Sequence, residues 1–192
     1  MSSPAIPVTS NDEANDLLVR DALALLIGML LDQQVPMEWA FLGPYSLRQR
    51  LGHLDAARIA AMSPDELTAV FCDKPALHRY PAAMAKRTHA GCVHLVEHHD
   101  GAAEALWRDA PTGKVLFKRL KALPGYGDEK TKIFMAILTK RLGLTFEGWE
   151  AAAAPFSDDV PRSVADIDSA EGFARVRAFK KAKKAEGKGK AD

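Results

Sequence analysis

A chain of 192 residues with 47% hydrophobic content can build one substantial core or two small interleaved ones. Its formal charge of +1 excludes a diffuse polycation, and its two cysteines, Cys72 and Cys92, lie too far apart for a disulfide framework or a zinc or iron–sulfur ligand set. No basic segment followed by an apolar run opens the chain, and the apolar run Leu23–Leu31 is far shorter than a membrane span, so a reduced cytoplasmic setting is the expectation.

The predicted elements are almost all helices. After a tail over residues 1–9, Ser10-x-x-Glu13 has the form of a capping box and opens a helix predicted to run through Leu31. The second half of that helix is apolar on every side, which requires burial all round. Pro36 ends or restarts the helix. Asp55 opens a short alanine-rich helix. Ser63-Pro64-Asp65-Glu66 places an N-cap serine, a proline at N1 and a glutamate at N3. Pro81–His99 reads as a long helix stopped by Asp100-Gly101, and a short one covers Ala102–Asp109. Thr112 caps the next helix. Leu144–Val164 has no clear periodicity, and Asp168 and Glu171 suggest a last helix into Ala178. No segment sustains strand alternation and no internal repeat is present. From Lys180 the chain is Lys/Ala/Gly-rich without an apolar face, the composition of an unstructured tail. Such a tail adds salt-sensitive attraction to nucleic acid, or serves only as a solubilising terminus.

The most informative stretch is Leu123-Pro124-Gly125-Tyr126-Gly127, between two amphipathic helical patterns. Val115, Leu116, Leu120 and Leu123 recur at helical spacing before it. Ile133, Phe134, Ile137, Leu138 and Leu142 do so after it, with Gly143 as a stop. Two glycines around one residue permit a tight turn and close approach of a ligand to the backbone. The turn delivers amides to the start of a helix, where free N–H groups and the macrodipole favour an anion. Asp128 is a candidate cap for that helix. Lys130 and Lys132 in its first turn oppose the dipole and make sense beside a docked anion. From Arg108 to Arg141 there are nine Lys/Arg against three Asp/Glu, whereas residues 1–173 together hold 18 basic and 23 acidic groups. A mildly acidic body with one basic hairpin points to a focused phosphate contact. The competing reading is an ordinary helical hairpin with a solvated lysine face.

Leu123–Leu138 resembles the helix-hairpin-helix of the endonuclease III and 3-methyladenine glycosylase superfamily of base-excision repair, in an actinobacterial-type subgroup of uncertain substrate. Upstream, Leu26–Gln34 resembles that superfamily's early helix, and Arg79-Tyr80 followed by Pro81–Gly101 its middle helix, so the resemblance covers about residues 17–143. It implies an all-α fold of two interleaved helical lobes over residues 10–179, with the hairpin at 112–143 and a basic tail at 180–192. It implies a monomer that binds double-stranded DNA in the nucleoid, gripping a phosphate through backbone amides around Gly125, Tyr126 and Gly127, often with a monovalent cation. A target base is then flipped into the cleft between the lobes, since a stacked base hides its glycosidic bond. Gln33 or Gln34 would fill the vacated stack, or merely cap a helix end; Arg79, Lys130 and Lys132 join the DNA-binding set.

Bifunctional members carry a lysine nucleophile two positions after the second hairpin glycine. Here Glu129 holds that place, and Lys130 is rotated from it by about 100°, so strand cleavage through a Schiff base is not expected. The superfamily's catalytic aspartate has its counterpart candidates in Asp159 first, then Asp158, both in Phe156-Ser157-Asp158-Asp159, and in Asp166 before the last helix. Each also reads as a loop acid or helix cap. The function implied is hydrolytic, monofunctional removal of a damaged base, without an iron–sulfur cluster; the alternatives are a non-catalytic module for distorted DNA and a helical protein-interaction domain. His94 and His98, four apart on a helix, suit zinc only with a third ligand. Trp39, Phe41 and Tyr45 suggest an aromatic cluster that lines a base pocket or packs in the core.

Overall fold

The computed structural model describes residues 4–192. Within them the chain is all-α: α1 (Asp12–Arg20), α2 (Ala22–Leu31), α3 (Met37–Leu51), α4 (Ala56–Ala61), α5 (Pro64–Cys72), α6 (Pro81–His99), α7 (Ala105–Arg108), α8 (Gly113–Lys121), α9 (Asp128–Lys140), α10 (Trp149–Ala153) and α11 (Ala170–Ala185), with a single 3-10 turn at Val164–Asp166. One isolated bridge, Thr112 to Glu147, is the only β-type pairing among the described residues.

The helix predicted from Ser10 to Leu31 is two helices. Asn11, not Ser10, caps the first, its side chain accepting from Ala14 N at 2.9 Å. Asp21 makes the break. It is extended (φ −120°, ψ 110°), its amide donates to Leu17 O, and its carboxylate accepts from Ala24 N at 2.9 Å. One residue thus closes α1 and opens α2. The N-terminal segment is no loose tail either: Ile6 and Val8 are buried in the core, while residues 1–3 of the expected tail lie outside the described residues.

Every residue of α2 from Leu23 to Leu31 is buried, as an all-apolar helix must be. At about 1.5–3 kcal/mol for each fully buried Leu or Ile, α2 is the organising element of the core. It packs on α1 and α3, and it also touches α6 and α9. The remaining helices pair largely in chain order: α4 and α5 on α6, then α8 on α9 and α10. Ser63 forms the full capping box with Glu66, and Asp55 and Thr112 cap α4 and α8 as their positions predict.

The C-terminal segment departs from expectation. α11 starts after Ser169, whose hydroxyl accepts from Gly172 N at 3.0 Å, and continues to Ala185 rather than Ala178. Val176 is buried against the core, and Lys180, the first residue of the expected unstructured tail, lays its stem inward and reaches Met37 Sδ at 2.9 Å. Long lysine stems supply the apolar contact that composition alone hides.

Candidate nucleic-acid interface

The hairpin turn follows from one residue. Gly125 has φ +86°, a conformation that costs an L side chain, and a Cβ there would lie 2.5 Å from Leu30 Cδ1. The turn is therefore seated directly on the C-terminal end of α2. Tyr126 points inward: it is buried, its hydroxyl donates to Leu26 O at 2.7 Å, and its ring meets Phe134 edge-on at 5.9 Å. Burial raises the phenol well above its usual range. Its amide is already spent on Leu123 O at 3.1 Å. Tyr126 therefore locks the hairpin to α2, and neither its ring nor its amide is offered to a partner.

Gly127 differs. It is the N-cap of α9, exposed, with an ordinary φ of −84° and ψ of 178°. Nothing lies within 4 Å of a Cβ placed there, so no internal contact demands glycine. No side chain caps α9, and the amides of Gly127, Asp128 and Glu129 donate to no other described residue. Asp128, expected as the cap, is the first helical residue, and its carboxylate pairs instead with Lys121 across the hairpin. The start of α9 is thus an exposed set of amides with its capping capacity unspent.

Much of the hairpin's basic charge is used internally. Arg108 pairs with Glu104 at 2.8 Å and Arg119 with Asp109 at 2.7 Å, which holds the Asp109 carboxyl below its ordinary range. Lys130 turns inward. Its Nζ donates to the carbonyls of Met29, Leu30 (3.4 Å) and Asp32 (3.2 Å), closing the C-terminal end of α2. Burial lowers its pKa to about 8. This places Lys130 as a lysine clasp between α9 and α2, not as an outward phosphate ligand. Lys114, Lys118 and Lys132 carry no ion pair among the described residues.

Several candidates converge beside the turn. Gln33 donates to Leu30 O at 2.8 Å, and its Oε1 accepts from Arg87 Nη1 at 2.7 Å. Arg87 runs past Gly125, its Cδ 3.5 Å from where a Cβ would sit. Gln34 is exposed, in the left-handed region at φ +57°. Buried His78 braces this corner. Its Nδ1 accepts from Tyr80 N at 3.0 Å, so Nε2 carries the proton and faces Leu31 O and Gln33 O, each at 3.1 Å. Burial lowers its pKa and keeps the ring neutral. Trp39 and Tyr80 flank His78, with ring centroids 6.3 and 6.2 Å from it, and both are about 40% exposed. The Arg79 guanidinium lies over the Tyr80 ring at 5.4 Å. Arg87 and His78 carry no sequence signal of their own; only the fold brings them to Gln33.

The aromatic cluster predicted for α3 does not form. Residues two apart on a helix point about 200° away from one another. This separates Trp39 from Phe41, which is fully buried, while Tyr45, one turn beyond Phe41, directs its hydroxyl outward to Glu13 Oε2 at 2.5 Å. The His94 and His98 rings do meet, with centroids 4.5 Å apart and planes tilted by 55°, yet among the described residues no group of three metal-ligating side chains comes together.

The aspartates divide. Asp166 accepts from Arg162 N and Ser163 N, both at 3.0 Å, and pairs with Lys140 at 2.7 Å, with side chains 9% and 14% exposed. Asp158 is held by Arg162 through two nitrogens at 2.9–3.2 Å. Both carboxylates are committed to structure. Asp159 is exposed and has no hydrogen bond or ion pair to a described residue. Open clefts of about 750 and 970 Å³ lie around Asp21, at the opposite end of α2; of the candidate residues only Tyr45 lines one of them, the larger, and none of the hairpin or aspartate candidates lines either. Among the described residues no helix is long and apolar enough to cross a membrane. Searches against protein-family models, curated proteins and solved structures find no match.

Proposed function

We propose that the hairpin binds double-stranded DNA, taking a backbone phosphate on the free amides at the start of α9. Gly127 carries this reading: an exposed N-cap glycine with ordinary dihedrals, no internal contact and no capping side chain. A phosphate satisfies those amides and meets the positive end of the helix dipole. Lys114, Lys118 and Lys132 supply screening-sensitive attraction; Gln33 or Gln34 would fill the stack left by a flipped base, with Arg87, Trp39 and Tyr80 grouped beside them. The resemblance to base-excision glycosylases extends this to hydrolysis of the N-glycosidic bond of a flipped, damaged base, with Asp159 the carboxylate free to act on the sugar cation or a water. A monovalent cation at the hairpin belongs to that resemblance, and no step depends on it.

A second reading, DNA binding without catalysis, is favoured by the commitment of Asp158 and Asp166 to internal ion pairs. Binding of a labelled duplex should weaken steeply with salt. Base release from a panel of damaged duplexes, abolished by Asp159→Asn, separates the enzyme from the binder; no release from any lesion leaves the binder. Binding that is absent or indifferent to salt refutes both.

A further inference from the structure

The C-terminal residues do not trail away from the body. α11 ends at Ala185 with Glu186 as its C-cap, and Gly187 beyond it has φ +71°; Gly187 N donates to Lys184 O at 3.1 Å and Lys188 N to Lys183 O at 2.9 Å. This pattern reverses the chain at a helix end. The reversed segment is then anchored twice. Arg162 Nη1 donates to Lys190 O at 3.2 Å and to Asp192 O at 2.9 Å, while the same guanidinium grips Asp158 and lies over Phe179. Lys190 Nζ meets the Glu129 carboxylate at 3.3 Å, and its side chain is 29% exposed. Glu129 is in the first turn of α9, so the segment ends against the hairpin itself.

We propose that this folded-back segment is a second DNA-contact element that holds Lys190 beside the hairpin. The inference rests on the hairpin being the DNA face. Residues 180–192 contain six lysines against Glu186 and Asp192, a charge that attracts a duplex. Glu129 acts as a stand-in anion: it keeps Lys190 in place until a phosphate takes the ammonium over, one anion exchanged for another. A latch that blocks the face is the opposite arrangement, and the same experiment tells them apart.

The test compares the native chain, a chain ending at Glu186 and Gly187→Pro, with thermal denaturation verifying that each is folded. Gly187→Pro keeps every charge but cannot adopt the reversing conformation. Each protein is titrated with a fluorescein-labelled duplex at rising salt. The shortened chain, having lost Lys190, should bind several-fold more weakly at low salt, with a salt slope smaller by about 0.9. Gly187→Pro should fall most of the way toward it. Equal or tighter binding by the shortened chain overturns the proposal, tighter binding identifying a latch. Gly187→Pro indistinguishable from native overturns it too, because charge alone would then suffice. No binding by the native chain at low salt refutes the hairpin reading and this inference with it, whereas native binding with no effect of either change refutes this inference alone.

Discussion

Gly125 and Gly127 sit two residues apart in different surroundings, and replacing each with alanine separates folding from the proposed phosphate contact. At Gly125 the alanine must adopt φ +86° and place Cβ 2.5 Å from Leu30 Cδ1. The dihedral costs about 1–2 kcal/mol. Leu30 is buried beneath the turn, and overpacking of this kind costs about 1–3 kcal/mol more. Gly125→Ala should therefore lose about 2–5 kcal/mol, roughly 4–20 °C in Tm for a chain of this size. At Gly127 the backbone is ordinary and the space around Cβ is open, so Gly127→Ala should change stability by less than about 1 kcal/mol. If a phosphate docks on the α9 amides as proposed, the added methyl crowds it, and duplex affinity should fall about tenfold. Urea denaturation followed by circular dichroism reads the first effect; anisotropy of a labelled duplex reads the second. A silent Gly125→Ala, or a Gly127→Ala that unfolds the chain or binds DNA as native does, would refute the reasoning.

Other substitutions probe the same contacts. Lys130 releases its proton near pH 8 when folded but near 10.5 when exposed, so between those values the unfolded chain binds more protons and stability rises with pH. In Lys130→Met that rise, on the order of 1–3 kcal/mol from pH 8 to 10.5, should disappear from urea titrations; parallel native and variant curves would contradict it. Tyr126→Phe removes the hydroxyl's bond to Leu26 O, a carbonyl inside α2, and should cost about 0.5–1.5 kcal/mol with duplex affinity unchanged; a selective loss of DNA binding would place the hydroxyl outside its inward role. Asp166→Ala abandons Lys140 and two amides and should cost about 3–5 kcal/mol in chemical denaturation, so a loss under 1 kcal/mol would free Asp166 for another task.

Local signals in the sequence carried much of the fold. Ser63, Asp55 and Thr112 announce their helices because an N-cap oxygen is a local event, and the nine apolar residues after Ala22 leave no option but a central helix. The rest was set by contacts distant in the chain. Asp21 breaks a continuous helical pattern by bonding in both directions, which spacing does not reveal. Lys130 reads as basic and exposed, but one step of helical rotation turns it onto the carbonyls of α2, about a hundred residues earlier. Arg87 and His78 reach Gln33 only through the packing of α6 on α2. The fold-back after Gly187 depends on Arg162, whose partners in the last residues are invisible until the chain is folded.

The account turns on the amides that open α9. Backbone ¹⁵N–¹H spectra recorded while a duplex is added observe them one by one. Gly127, Asp128 and Glu129 should show the largest shifts, saturating with the binding curve and reversing as salt is raised. If the duplex binds while those three resonances stay in place, the phosphate contact lies elsewhere and the central claim is wrong.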